Sequence, residues 1–452
     1  MSGRAARADA GALIDRHAAV LERVREAARP GEIATGWLRA EHADFVRFNR
    51  GRIRQAGSVE KASLELRLLR DGRQAGATLT LAGDAATDAA RLESAFAMLR
   101  ADVARSDPDP WLVVCEQPAQ SRTLLAGDLP EPDALCDTVL AAAGPADLVG
   151  FYAGGPLACG YASSLGHLHW HESRPWFFDF SIQAGGDKAV KRVFAPPAWR
   201  PEDLAAAIAR ARREAQILHR PPRVLQPGEY RAWLAPAALA DLVGMLNWGG
   251  FSASALRSGH SPLARLANGQ VALNPAITLR DDIESAGLPR FQSDGFLRPA
   301  RLTLVEAGRQ VGSLVSPRTG REFGLPDTGA DASETAQALS MAPGVLAEDD
   351  ALARLGTGVA VSDLWYLNWS DRAAARLTGM TRFATMWVED GEPVAPVAVM
   401  RFDDSLFRLL GPELETLSRE LHRMPDTQTY DARSFGRVTV PGALVAGLRF
   451  TL

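Results

Sequence analysis

Cysteine and lysine are both scarce in this chain of 452 residues. The cysteines, Cys115, Cys136 and Cys159, are odd in number and widely spaced, which argues against a disulfide framework or a C-x-x-C metal knuckle and leaves reduced core thiols. The lysines are Lys61, Lys188 and Lys191 alone. The arginines are scattered among acids and the formal net charge is −4, so no basic stripe offers a footprint for nucleic acid. Long apolar runs are missing too. The least charged region, residues 139–163, is cut by Gly144, Pro145, Asp147, Gly154, Gly155 and Pro156 and cannot span a bilayer as a helix. Near the start, Arg4, Arg7, Asp9, Asp15 and Arg16 fall where a secretory signal needs an apolar core, so a cytoplasmic protein is expected. No fixed-period repeat is visible.

What is present is a globular composition, 46% hydrophobic and 23% charged, long enough for two domains. Residues 5–28 read as an amphipathic helix, with Leu13, Ile14, Ala18, Leu21 and Val24 on one side. Residues 44–81 alternate with a period of two, and Asp71-Gly72 reads as a hairpin turn. Helices at 84–103 and 133–143 would cover that sheet. Residues 150–193 are again strand-like, and 201–218 form a helix with Pro201 near its start and Glu202 and Asp203 in its first turn. The proline-rich stretch 220–228 is the clearest linker. These patterns predict an α+β chain. An N-terminal α/β domain, 1–222, holds a sheet covered by helices, and a C-terminal domain, 229–452, is mostly antiparallel β and barrel-like. Short strands are expected at 300–305, 311–315, 358–368, 381–388, 394–402 and 447–452. The small and polar residues of 327–344 suggest a mobile loop.

The segment opening the second domain reads as a helix from Pro236, with Ala238, Leu239, Leu242, Val243 and Leu246 at three- and four-residue steps until Gly249-Gly250 weakens it. A hydrolytic metal helix needs paired imidazoles beside a carboxylate, as in H-E-x-x-H, and this one has no His or Glu. Chemistry elsewhere is thin. His167, His169 and His171 share one face of a strand, where alternate residues rise about 6.8 Å apart, so two of them but not all three could meet one ion. That leaves His169 and His171 as weak metal candidates and a polar strand face, exposed or lining a cleft, as the plainer reading. Glu172 faces the other way. The acid pairs Asp281-Asp282, Asp349-Asp350 and Asp403-Asp404 read as solvated turn residues. Ser58-Val-Glu-Lys61 matches S-x-x-K but lies among strands, where residues three apart face oppositely. Ser258-Gly-His260-Ser261 lacks an orienting acid, and Gly356-Thr-Gly358 lacks the rest of a nucleotide loop.

Three groups of residues occur together in order along nearly the whole chain. The first is Asn49 and Asp71-Gly72-Arg73 ahead of Gly76. The second is Ser261-Pro-Leu263, Gly269-Gln270, Asp281-Asp282, Phe291, Asp294-Gly295, Arg301, Val305 and Gly308. The third is Thr378-Gly379, then Trp387 to Pro393, Pro396 and the terminal 441–452. Together they resemble the TldD/TldE family, also called PmbA or "modulator of DNA gyrase" proteins. The resemblance implies a two-domain, dimer-forming component of a cytoplasmic metallopeptidase system acting on peptides and unfolded chains. In that family the TldD-type subunit carries H-E-x-x-x-H on the helix opening the second domain, and the TldE/PmbA type pairs with it without metal. Here the equivalent helix, 238–251, lacks the motif, so no catalytic or metal residue can be carried onto this chain.

The resemblance therefore implies a TldE/PmbA-type subunit that binds no cofactor itself, with zinc expected in a TldD-like partner. Asp241, Met245, Asn247 and Trp248 are left on the degenerate-site helix, and Asn49, Ser261, Asp294, Gly295, Thr378 and Gly379 are the expected cleft or interface residues. Gln292-Ser293-Asp294-Gly295 departs from the D-x-E-G-like pattern common in the family. The expected partners are a TldD-like subunit or a second copy, and a peptide or unfolded chain held as an added strand at a sheet edge. Neither nucleic acid nor membrane is expected. The alternatives are a homodimeric binding or scaffold protein, and an independent hydrolase using His169 and His171.

Overall fold

The computed structural model describes residues 11–451. Its N-terminal half is built on a nine-stranded sheet. The first helix, α1 (Ala12–Glu26), is followed by β1 (Ile33–Asn49), β2 (Arg52–Arg70) and β3 (Arg73–Thr80), an antiparallel meander that turns at Asp71-Gly72. Both turn residues have positive φ, the geometry a two-residue hairpin needs. Next come α2 (Ala85–Val103), β4 (Gln120–Leu124), α3 (Pro132–Ala143), β5 (Leu148–Gly154), β6 (Leu157–Ser163), β7 (Leu168–Ser173), β8 (Trp176–Gly185), β9 (Lys188–Phe194) and α4 (Pro201–Leu218). The long β1 is the spine of the sheet. One edge pairs with β2 throughout, while the other pairs first with β6 and then with β5.

The helices end and cover as local chemistry dictates. Asp84 caps α2 by accepting from Thr87 N–H at 2.8 Å, and Leu92, Phe96, Leu99 and Val103 bury its inner face. In α4, Pro201 occupies the first turn, and Leu204, Ile208, Ala211, Ala215 and Leu218 recur at the spacing of one helix face and are buried. Two clusters form on this side of the sheet. Leu13, Leu21 and Val24 pack with Leu38, Leu64 and Leu66, and Leu135, Leu204 and Ile208 pack with Phe48, Phe178 and Phe180. The other face of β1, carrying Trp37, Arg39 and Glu41, turns toward the C-terminal half.

That half begins with β10 (Gly228–Leu234) and α5 (Pro236–Leu246). It forms a curled nine-stranded sheet and a second, six-stranded one. Strands from both touch α5, which lies within the largest core cluster. Ala238, Leu239, Leu242, Val243 and Leu246 are all buried there, but the helix stops at Leu246, short of the expected end at 251. The nine-stranded sheet includes Gly358–Val361, Asp363–Asp371, Arg376–Arg382, Met386–Glu389, Glu392–Pro396, Arg401–Ser405 and Ala443–Phe450, close to the predicted strands. Among the described residues no helix is long and apolar enough to cross a membrane.

Two expectations are corrected. Residues 311–315 are not a strand; the hairpin partner of Leu302–Glu306 is Arg309–Gln310. Residues 327–344 are not a loose loop either. Ala330, Ala336, Ala338, Leu339 and Met341 are buried, and Ala338–Met341 pairs on both sides within the six-stranded sheet. Glu334, also buried, accepts from Ser252 Oγ at 2.5 Å, Ser254 N–H at 2.9 Å and Ser316 N–H at 2.8 Å. Small residues here serve close packing, not mobility.

Candidate functional site between the two halves

The polar face of the N-terminal sheet and loops of the C-terminal half enclose a cleft of about 680 Å³. Trp37, Arg39, Glu41, Ser63 and Cys159 line it from the sheet, and Phe291, Gln292, Arg298, Asp331, Arg433 and Phe435 from the opposite wall. Arg433 ties the walls together. Its Nε donates to Glu41 Oε2 at 2.9 Å, Nη1 to the Pro175 carbonyl at 2.9 Å, and Nη2 to the carbonyls of Gly155 and Pro156 at 3.0 Å each. Burial draws the guanidinium below its ordinary value while Glu41 supports its charge. Sequence reasoning missed this pair, because nothing in the local pattern around either residue points to a partner in the other half.

The three histidines of the β7 region lie along the same seam and share a direction, as their spacing predicts. They are not exposed. His167, His169 and His171 are buried, and the Nε2 atom of each lacks a hydrogen-bond partner. The cover comes from the C-terminal half: the His169 ring stacks on Phe291 with centroids 5.0 Å apart, and His171 meets Phe435 edge-on at 5.3 Å. Their other nitrogens are held from the N-terminal half, His167 Nδ1 2.7 Å from Ser163 Oγ and His169 Nδ1 2.8 Å from Ser121 Oγ. Burial lowers all three, His169 and His171 to about 4, with His167 adding a smaller push on His169. The rings of His167 and His169 are 6.2 Å apart, and among the described residues no three His, Cys, Asp or Glu side chains are grouped to hold a metal. This is an aromatic packing layer made of neutral imidazoles. Glu172 points away, accepting from Gly11 N–H at 3.0 Å and Trp170 Nε1 at 3.2 Å.

On α5, Asp241 is the one acidic residue, so the frame of an H-E-x-x-x-H motif aligned on an acid would place its two imidazoles at Ala240 and Met245. Both side chains are buried and neither carries a nitrogen. This donor set does not fit a zinc ion of the usual nitrogen- and carboxylate-bound kind. Asp241 is open to solvent, yet the surrounding protein, with Asp363 as a second influence, pushes its carboxyl up to about 7. It accepts from Leu364 N–H at 3.2 Å. Asp363 is itself buried, with one carboxylate oxygen unpartnered, and burial raises it as well. Asn247 clamps the Ala336 backbone with two hydrogen bonds of 2.7 Å, and Trp248 is exposed.

The remaining expected cleft residues separate into two groups. Asn49 lines a second recess between the halves with Arg47, Phe151, Asp179, Lys191 and Phe383. Asp294 pairs with Arg67 across the seam, and Gly295, at φ +86°, brings its backbone against the Tyr161 ring. Ser261, Thr378 and Gly379 lie inside the C-terminal half. Ser261 Oγ donates to the Gly250 carbonyl at 2.7 Å, Thr378 Oγ1 donates to the Phe402 carbonyl at 3.1 Å, and Gly379 leaves room for the Phe402 ring. Two of the acid pairs are not solvated turns. Asp281 is buried and accepts from Gln337 and Ala338 N–H at 3.1 and 2.8 Å, and Asp404 is buried beneath Arg408 at 2.6 Å. Ser58 and Lys61 turn to different partners, Asp44 and the Asp431 carbonyl.

Residues 227–452 match the PmbA/TldA metallopeptidase C-terminal domain. No curated protein matches the chain. Among solved structures, TldE from Thermococcus kodakarensis superposes with a TM-score of 0.78 at 16% identity, covering 97% of this chain and 100% of that one. A candidate modulator of a DNA gyrase from Thermotoga maritima MSB8 gives 0.75 at 16% identity, covering 95% and 99%. Another from Bacteroides thetaiotaomicron VPI-5482 gives 0.73 at 16% identity, covering 97% and 99%. At such identities the superpositions establish a shared fold over the whole chain, and the domain match adds the descent of its C-terminal half. On both grounds the chain belongs to the TldD/TldE (PmbA) family.

Proposed function

We propose that this chain is a TldE/PmbA-type component of a peptidase system, acting on peptides and unfolded chains beside a metal-bearing TldD-like subunit. The observation that carries the proposal is the chemistry of α5. Its one acid is Asp241, it has no His or Glu, and Ala240 and Met245 on either side of that acid pack into the core. A helix so filled has no nitrogen to offer a hydrolytic ion. What the chain contributes is surface: a cleft bordered by Trp37, Phe291 and Phe435, with charged groups at Arg39, Lys61 and Asp331. The cytoplasm is the proposed compartment, consistent with reduced, unpaired Cys115, Cys136 and Cys159.

The test is metal analysis and peptidase assay of the purified chain, alone and after co-expression with an H-E-x-x-x-H subunit from the same genome. The expected result is no stoichiometric zinc and no chelator-sensitive cleavage alone, with both appearing in a co-purifying complex. Zinc and cleavage in the isolated chain would overturn the proposal. Stable dimers that ignore the metal-bearing subunit would favour a homodimeric binding protein.

A further inference from the structure

Beside the cleft, where the two halves meet, a second cavity of about 240 Å³ carries an excess of positive charge. Three arginines line it, with one acid, Asp128. Arg423 and Arg437 come from the six-stranded sheet, on the antiparallel strands His422–Pro425 and Arg437–Val440. There Arg423 opposes Thr439 and Pro425 opposes Arg437, so the two arginines are diagonal neighbours on one face. Arg174 lines the cavity from the turn between β7 and β8. This charge is not neutralised within the protein. Among the described residues, neither Arg423 nor Arg437 has an ion pair or a side-chain hydrogen bond, and the Nε atoms of Arg174 and Arg437 are buried without a partner. Burial lowers Arg437 below its ordinary value and Arg423 lowers it further, with no acid offsetting either. Asp128 is engaged elsewhere, its carboxylate accepting from the Trp199 N–H at 3.2 Å. Like charges gathered on a sheet face, with buried donors left unpaired, cost stability until an anion completes them.

We infer that this cavity binds the C-terminal carboxylate of a peptide, which deepens the peptide-handling reading above and rests on it. Three features select that ligand. Guanidinium groups are planar donors suited to two-pronged bonding of a carboxylate. The cavity shares Ser434 and Phe435 with the cleft, so a chain lying in the cleft can end among the arginines. The rest of the lining is largely apolar. Trp176 is buried there, its Nε1 held by the Asp128 carbonyl at 3.0 Å, and Leu125, Leu288 and Phe435 add surface for the last side chain. At about 240 Å³ the cavity is smaller than the roughly 300–1,000 Å³ of a drug-sized pocket, which gives room for one terminal residue and not for a passing chain.

The full-length chain is titrated by calorimetry, at constant ionic strength, with acetyl-Gly-Ser-Gly-Ser-Leu bearing either a free carboxylate or a C-terminal amide. A third peptide, also amidated, carries Asp in place of the central Gly. The expected result is saturable binding of the acid, with the amide and the Asp peptide weaker by about tenfold or more. Arg423→Gln and Arg437→Gln are each expected to weaken the acid by about tenfold and to leave the amide unchanged. The contrast between acid and amide is read on the unmodified chain, so the test does not depend on the folding of either variant. Equal binding of acid and amide, no binding of the acid, or an acid that ignores both substitutions would overturn the proposal. So would an Asp peptide that matches the acid, which would make this a site for acidic side chains. Inorganic phosphate is titrated alone, and binding as tight as that of the acid peptide would likewise overturn it. None of these outcomes alters zinc content or co-purification with a metal-bearing subunit, so the two readings fail separately.

Discussion

Arg433 and Glu41 stand 392 positions apart in the chain and meet as a buried ion pair, with Nε 2.9 Å from Oε2. The pair fastens the loop between two strands of the six-stranded sheet, His422–Pro425 and Arg437–Val440, to the spine of the N-terminal sheet. Its guanidinium also satisfies three backbone carbonyls, so it is held by more than its counter-ion. Such a pair is costly to break from one side, because the survivor stays in low dielectric uncompensated.

Glu41→Gln is therefore expected to destabilise the fold by about 3–5 kcal/mol, and Arg433→Ala by a similar amount. The double variant Glu41→Gln/Arg433→Ala should lose much less than the sum, because no charge is left buried. Urea denaturation of the four proteins measures this. Additive losses would show that the two residues act independently.

Stability should fall with mild acid, and the sign follows from buried neutral histidines. Burial lowers His17, His169 and His171 to about 4 in the folded chain, with Arg16 adding to the effect at His17 and His167 at His169. Unfolded histidine titrates near 6.5, so between about pH 6.5 and 4 the unfolded chain binds more protons. The contribution is fully present above that window and is lost as pH falls through it, at about 1.4 kcal/mol per pH unit for each histidine. Urea midpoints at pH 7, 6 and 5 should show this slope. His171→Leu, which fills the space against Phe435 without a titrating group, should flatten it by one histidine's share.

Asp241 should titrate far from an ordinary aspartate. The protein around it and the nearby Asp363 carboxyl place it at about 7. In a carbon-13 NMR titration of labelled aspartates, one carboxyl with a midpoint near neutrality is expected. Asp363→Asn should shift it back toward the ordinary carboxylate range, since a like charge is removed while the surrounding protein remains. An unchanged midpoint would show that Asp363 does not act on it.

How much of this was legible in the sequence depends on how local each cause is. The bounds of α4 follow from Pro201, the acids after it and the apolar steps through Leu218, all within one helix, and the structure ends the helix where that pattern ends. The common direction of the histidines followed from strand periodicity. Their burial did not, because Phe291 and Phe435 supply the cover from the other half of the chain. The same holds for residues 327–344, whose composition resembles a loop while Glu334 gathers Ser252, Ser254 and Ser316 from distant segments. Of the candidate site, the missing ligands of α5 were visible as absent residue types. The Arg433–Glu41 tie has no local signature at all.

Gly295 tests whether the seam is as tightly specified as its contacts suggest. It has φ +86°, and an added Cβ would lie 2.4 Å from the nearest ring atom of Tyr161, a side chain buried in the N-terminal sheet. Gly295→Ala therefore carries two costs: about 1–2 kcal/mol for a left-handed backbone, and a clash that must push the 292–295 loop off the sheet, loosening the neighbouring Arg67–Asp294 pair. The expected outcome is a loss well above 2 kcal/mol in urea denaturation, with faster amide exchange at 292–295. Tyr161→Phe should not rescue it, because the clashing atoms belong to the ring as well as the hydroxyl. Combining Gly295→Ala with Tyr161→Ala should cost less than the two single losses together, since the first clash disappears with the ring. Strict additivity would mean that the glycine is required by its backbone angle alone and that the loop is not braced against Tyr161.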